Sequence, residues 1–315
     1  MDMIGLFAAA VVVGLGVGIL SGMLGVGGGT IMVPVFRLGF GLSAVAATAT
    51  SLFAIIPTSI SGMVGHLRDK TCIPKLGLAM GLAGACTSTL GVRLADISPS
   101  WLVMLVAALI IAYSAINTFR KAFAMKKKEE AVSSKTFSRD DAAAGAKAAT
   151  AGDGASAAAA ATASANASAA AVATGAAAKR AATAAARPEL STKELLLGAL
   201  IGLIAGLASG YVGVGGGFIM VPMMLGILNI PMRYASGTSL IAIMILAVPG
   251  VIAQIMLGHV DFVAGIAISV GTIPGALIGA RLVSHIPERT LRFIFAGMLL
   301  VAAVMLVVNE LGVIG

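Results

Sequence analysis

A chain of 315 residues that is 59% hydrophobic and 11% charged, with a mean hydropathy of +1.03, carries more apolar side chain than a soluble fold can bury. Its apolar runs reach the roughly 18 residues that span a hydrocarbon core and lack the period-two alternation of an outer-membrane barrel, so the composition predicts an all-α polytopic membrane protein in a lipid bilayer. The formal charge of +8 excludes less than it suggests: residues 120–193 hold twelve basic and six acidic side chains, leaving the membrane part near neutral, with no basic surface for nucleic acid.

The first predicted segment covers residues 4–38. It opens at Asp2 without a basic n-region, and no small-residue cleavage site precedes its glycines, so it is expected to stay in the protein. Ser21 to Pro34 reads SGMLGVGGGTIMVP, and 188 positions later Ser209 to Pro222 reads SGYVGVGGGFIMVP, identical at eleven of fourteen positions. Each phrase sets three consecutive glycines (Gly27, Gly28 and Gly29; Gly215, Gly216 and Gly217) in an apolar stretch, where a helical glycine costs about 1 kcal/mol relative to Ala. The helix is expected to break at both places.

Helices follow near 43–64, 76–94 and 101–120, and the same order returns at 195–230, 236–257, 262–283 and 290–309. The register holds outside the opening phrase: Thr50-Ser51-Leu52 corresponds to Thr238-Ser239-Leu240, Gly91, Arg93 and Leu94 to Gly279, Arg281 and Leu282, and Pro99 to Pro287. Between the repeats, Ala142 to Ala186 is mostly alanine with almost no Leu, Ile or Phe, which predicts a tether without a core. The expected organisation is a first transmembrane repeat at 1–123, an Ala-rich linker at 124–192 and a second repeat at 193–315.

Arg120, Lys121, Lys126, Lys127 and Lys128 follow an apolar span and put the linker in the cytoplasm. The loop holding Arg68, Lys70 and Lys75 has a counterpart at Gly258 to Asp261 with no Lys or Arg, whereas Arg281, Arg289 and Arg292 face Arg93 alone. This reversal predicts two inverted four-segment repeats with both termini outside. The fifth segment then starts and ends on the cytoplasmic side, so 195–230, and by symmetry 4–38, are expected to be glycine-broken re-entrant hairpins lining a polar cavity.

A helix restarting after each glycine run offers unpaired N–H groups and the positive end of its dipole, which suits a small anion. The candidate binding residues are Gly25, Gly27, Gly28, Gly29, Thr50 and Ser51 in the first half and Gly213, Gly215, Gly216, Gly217, Thr238 and Ser239 in the second, with Thr48 and Ser236 nearby. The glycines alternatively serve helix packing, and the hydroxyls alternatively bond their own backbone. Pro34 and Pro222 are expected near the start of the return helices, where a missing N–H is tolerated. Arg93 and Arg281 read as snorkelling charges or as substrate attractors. His66 and His259 read as matching interfacial loop residues, and Cys72 and Cys86 as packing. No span carries a central Asp or Glu, no phosphate-binding GxxxxGK[ST] loop is present, and no catalytic or metal-ligand cluster emerges, so neither an enzyme, a cofactor nor a metal is expected.

The doubled glycine phrase with its Thr-Ser-Leu and Gly-x-Arg-Leu echoes resembles the sulfite exporter TauE/SafE family over everything but the linker, which is longer here than is usual in that family. The resemblance implies a bacterial cytoplasmic-membrane transporter of sulfite, organosulfonates or related sulfur compounds, with a site around Gly25 to Gly29 and Gly213 to Gly217. Efflux driven by the membrane potential or weakly linked to protons is the expected mechanism, and a gated small-anion channel is the alternative. The sequence leaves the oligomeric state open.

Overall fold

Every regular element that the computed structural model describes, over residues 3–99, 101–120, 123 and 191–310, is helical. The first half gives α1 (Met3–Leu24), α2 (Gly29–Phe40), α3 (Ala44–Arg68), α4 (Pro74–Asp96) and α5 (Trp101–Arg120). The second gives α6 (Thr192–Val212), α7 (Gly217–Gly226), α8 (Met232–Met256), α9 (Phe262–Leu282), a 3-10 turn at Val283–His285 and α10 (Glu288–Glu310). The expected linker at 124–192 lies almost wholly outside the described residues.

Both expected breaks are present, and their backbone explains the residue type. Gly25, Gly27 and Gly28 have φ of 72°, 80° and 84°, and Gly213, Gly215 and Gly216 have 72°, 88° and 70°. Only glycine adopts this left-handed region without strain. The arms of each break are unequal, which the sequence reading did not foresee. At 22 and 21 residues, α1 and α6 are about 30 Å long and are among the seven described helices apolar enough to cross a membrane; α2 and α7, with 12 and 10 residues, are half that length. α1 runs on to Leu24 through its interior glycines, three of which, Gly14, Gly18 and Gly22, lie against α9.

That packing follows the small-residue rule of membrane helices, in which missing side chains let backbones touch. A Cβ on Gly14, Gly18 or Gly22 of α1 would overlap the carbonyl oxygens of Ile268, Thr272 and Ala276 on α9, and Gly271, Gly275 and Gly279 return the contact to Val11, Leu15 and Ile19. Gly202, Gly206 and Gly210 of α6 press likewise on Met80, Gly84 and Ser88 of α4. Residue numbers rise together in both pairs, so α1 runs parallel to α9 and α6 parallel to α4. Gly77 and Gly81 meet Ile241 and Ile245, making α4 parallel to α8. Thr58 bonds Thr272 at 2.6 Å and Gly65 faces Ala280, making α3 parallel to α9. The central pair is antiparallel, since Gly62 meets Leu240 while Leu52 meets Gly250.

These directions sort the charged loops to two ends. Arg68, Lys70 and Lys75 lie at the end where α8 starts, because the Thr238 hydroxyl accepts from Ile73 N–H at 3.0 Å. Arg233 donates to the carbonyl of Ser284, and Phe119 of α5 and Phe123 beyond it stack edge-on with Phe293, over which Arg289 sits at 5.7 Å, so the start of α10 shares that end. The opposite end holds the C-termini of α4 and α8 and the start of α9, where Thr50 Oγ1 accepts from Asp261 N–H at 3.0 Å.

Candidate functional site

The two glycine breaks meet at the centre of the bundle. A Cβ on Gly29 would strike the Val214 carbonyl, and one on Gly217 would strike the backbone of Gly25 and Val26. Residues 21–30 and 212–218 are all buried. Between the breaks stand Ile55 of α3 and Ile243 of α8, both fully buried and again 188 positions apart; a Cβ on Gly27 would lie 3.1 Å from a methyl of each. Sequence reasoning missed this isoleucine pair, although the fixed 188-residue offset was the signal that could have found it.

The candidate hydroxyls act as clamps between halves. Ser51 donates to the carbonyls of Thr48 and Gly213, and Ser239 donates to those of Ser236, at 2.8 Å, and Gly25, at 2.6 Å. Each serine thus holds the left-handed turn of the other half. Thr50 and Thr238 accept from the N–H groups of Asp261 and Ile73, the residues that cap the N-termini of α9 and α4. Thr48 and Ser236 donate to carbonyls of their own helices. Thr48, Ser51, Ser236 and Ser239 thus bond carbonyls of their own helices, as the backbone-bonding alternative expected, and the two serines add a bond to the other half.

Unused donors lie at the helix restarts. Among the described residues, the N–H groups of Val26, Gly27, Gly28, Gly29 and Thr30 reach no protein acceptor, and neither do those of Val214, Gly215, Gly216 and Phe218; Gly217 N–H turns back to the Gly215 carbonyl at 2.8 Å. The hydroxyls of Ser21, Thr30 and Ser209 are buried without a partner. Ser21 Cβ lies 3.5 Å from where a Cβ would sit on Gly28, and Ser209 Cβ is at the same distance from the equivalent point on Gly216. Pro34 and Pro222 fall in the second turn of α2 and α7, further in than expected, and their rings remove the donors that would have met the carbonyls of Thr30 and Phe218.

Other expected residues lie elsewhere. Arg93 and Arg281 are exposed in the last turns of α4 and α9. His66 is not interfacial: fully buried at the end of α3, it bonds Thr71 Oγ1 at 2.7 Å and the Gly22 carbonyl at 2.8 Å, pinning α1 beside the break. Its counterpart at the 188-residue offset is Gln254, and that of Thr71 is His259, which bond each other at 2.9 Å. Cys72 is buried and Cys86 exposed. Among the described residues no group of three or more His, Cys, Asp or Glu is placed to hold a metal.

Seven candidate spans and two helix breaks joined in the core define a multi-pass membrane protein with interrupted helices at its centre. The model of the sulfite exporter TauE/SafE family matches residues 10–306, and the chain belongs to that family of membrane transporters; it is not an enzyme. It is 27% identical over 276 residues to the probable membrane transporter protein YdhB of Bacillus subtilis (strain 168), covering 87% of this chain and 89% of that one. It is 24% identical over 285 residues to the probable membrane transporter protein YunE of the same strain, covering 88% and 86%. No solved structure matches it significantly.

Proposed function

We propose that this transporter carries small sulfur-containing oxyanions, of the sulfite or organosulfonate type, outward across the cytoplasmic membrane through a site where two inverted repeats meet. The observation that carries the reading is the junction of two helix breaks at mid-bundle with their N–H groups unspent. Such groups in a dry interior stabilise an anion and are costly when left bare. The recurrence of the phrase in residues 10–306 of a TauE/SafE chain supports a sulfur oxyanion as the cargo.

Helix directions support the inversion. Since α1 and α3 both run parallel to α9, α2 has to bring the chain back to the side where α1 began. The same holds for α6, α7 and α8, which returns in the opposite sense. Each broken segment therefore makes no net crossing. Gathering of Arg68, Lys70, Lys75, Arg233 and Arg289 at one end marks that end as cytoplasmic. The candidate site comprises Gly25, Gly27, Gly28 and Gly29 with Gly213, Gly215, Gly216 and Gly217, while Thr50, Ser51, Thr238 and Ser239 hold the turns in position.

No buried carboxylate is available to relay protons among the described residues. The membrane potential suffices for a monovalent anion: at ~2.3 kcal/mol per charge per 100 mV, about 150 mV supplies roughly 3.5 kcal/mol, a gradient of several hundred-fold. The closed packing of Ile55 and Ile243 between the turns favours alternating access over an open pore. Proteoliposomes loaded with sulfite or methanesulfonate under an imposed potential test this. Saturable efflux that rises with inside-negative potential is expected; conductance without saturation would assign a gated channel, and no flux of either anion would refute the cargo.

A further inference from the structure

We infer that the start of α2 is a monoanion subsite built from the Ser21 and Thr30 hydroxyls and the free N–H groups of residues 26–30, with a poorer copy at Ser209 and α7. The inference rests on the transport reading and sharpens it to a charge class. Burying a hydroxyl without a partner costs free energy, and here that happens at equivalent serines, Ser21 and Ser209, each beside the left-handed glycine that precedes a helix start. Five main-chain donors, those of residues 26–30, lead into the start of α2. Unpartnered hydroxyl and amide donors at one helix start suit oxygen atoms bearing negative charge.

Valence follows from what else is there. Among the described residues no Lys or Arg is buried, and the nearest side chains to a Cβ placed on Gly28 are Met32, Val17 and Ser21. Only dipoles would compensate a bound charge. The desolvation cost of an ion scales with the square of its charge, so a dianion loses about four times as much as a monoanion on entering the same dry site. Hydrogensulfite and alkanesulfonates meet this condition; sulfite and sulfate dianions do not. The halves are also unequal. Position 30 is Thr, while its counterpart 218 is Phe, so the second copy has one hydroxyl where the first has two.

Calorimetric titration of sodium methanesulfonate into the purified protein in lipid nanodiscs reads the subsite directly. The double variant Ser21→Ala, Thr30→Val should bind about ten-fold or more weakly, Ser209→Ala should lose less, and thermal stability should hold or rise, because the deleted hydroxyls have no protein partner. Sulfate should fail to compete. In proteoliposomes, sulfite flux should fall from mildly acidic to mildly alkaline pH as the monoanion is lost, with methanesulfonate flux unchanged. Methanesulfonate also controls for His66, whose ring meets the Gly22 carbonyl next to Ser21 and is the buried titrating side chain nearest the subsite. Unchanged affinity in the double variant, equal competition by sulfate, or no binding by the wild type overturns the subsite. Wild-type protein that binds methanesulfonate but does not carry it contradicts the transport reading alone.

Discussion

The buried serines near the breaks differ in their partners, since Ser51 and Ser239 bond carbonyls of the other half while Ser21 has no protein partner. Ser51 and Ser239 each close a turn of the opposite half, so their loss leaves a buried carbonyl without its donor. Ser51→Ala and Ser239→Ala are expected to lower folding stability by about 1–2 kcal/mol each, seen as a reduced Tm in detergent, whereas Ser21→Ala should not. An equal loss in all three would mean that Ser21 also clamps the fold. None of this was legible in the sequence. Ser51 was identified by its echo at Ser239, but its partner lies 162 residues away, and Ser21 reads in isolation as an unremarkable residue in an apolar run. His66 failed for a related reason: it was matched to His259 by residue type, and the fixed offset pairs it with Gln254.

Helices were more readable than contacts. The segments expected at 43–64, 76–94 and 262–283 correspond to α3, α4 and α9 within a few residues, because long apolar runs between turn residues leave few alternatives. The breaks were legible too, since consecutive glycines have few other uses inside a span. What composition concealed was the division of labour among the remaining glycines. Gly206 lies against the Gly84 backbone in the α4–α6 seam, while a Cβ on Gly16 would meet nothing within 4 Å. Gly206→Leu should therefore cost about 1–3 kcal/mol or prevent folding through overpacking, and Gly16→Leu should be neutral or slightly stabilising through helix propensity. Thermal denaturation of the two variants checks this. Similar Tm values would remove the glycine seams as the reason for parallel pairing.

At the scale of the molecule, two halves that share a phrase exchange support: the first half's serine holds the second half's turn, α1 lies on α9, and α4 lies on α6. Charge bias alone suggested inversion from the sequence, and the antiparallel run of the equivalent helices α3 and α8 supplies an independent geometric argument for it. The account stands or falls on oppositely oriented halves, because only then do the broken segments return to their starting side and bring their helix starts together. Asp69 and Leu257 test this most directly. They are exposed, equivalent under the 188-residue offset, and have ordinary φ of −83° and −80°. With Cys72 and Cys86 replaced by Ser, single cysteines at these two positions should react with a membrane-impermeant maleimide from opposite sides, Asp69→Cys from the cytoplasm and Leu257→Cys from outside. Labelling of both from the same side would contradict the inverted arrangement and, with it, the paired hairpins of the proposed site.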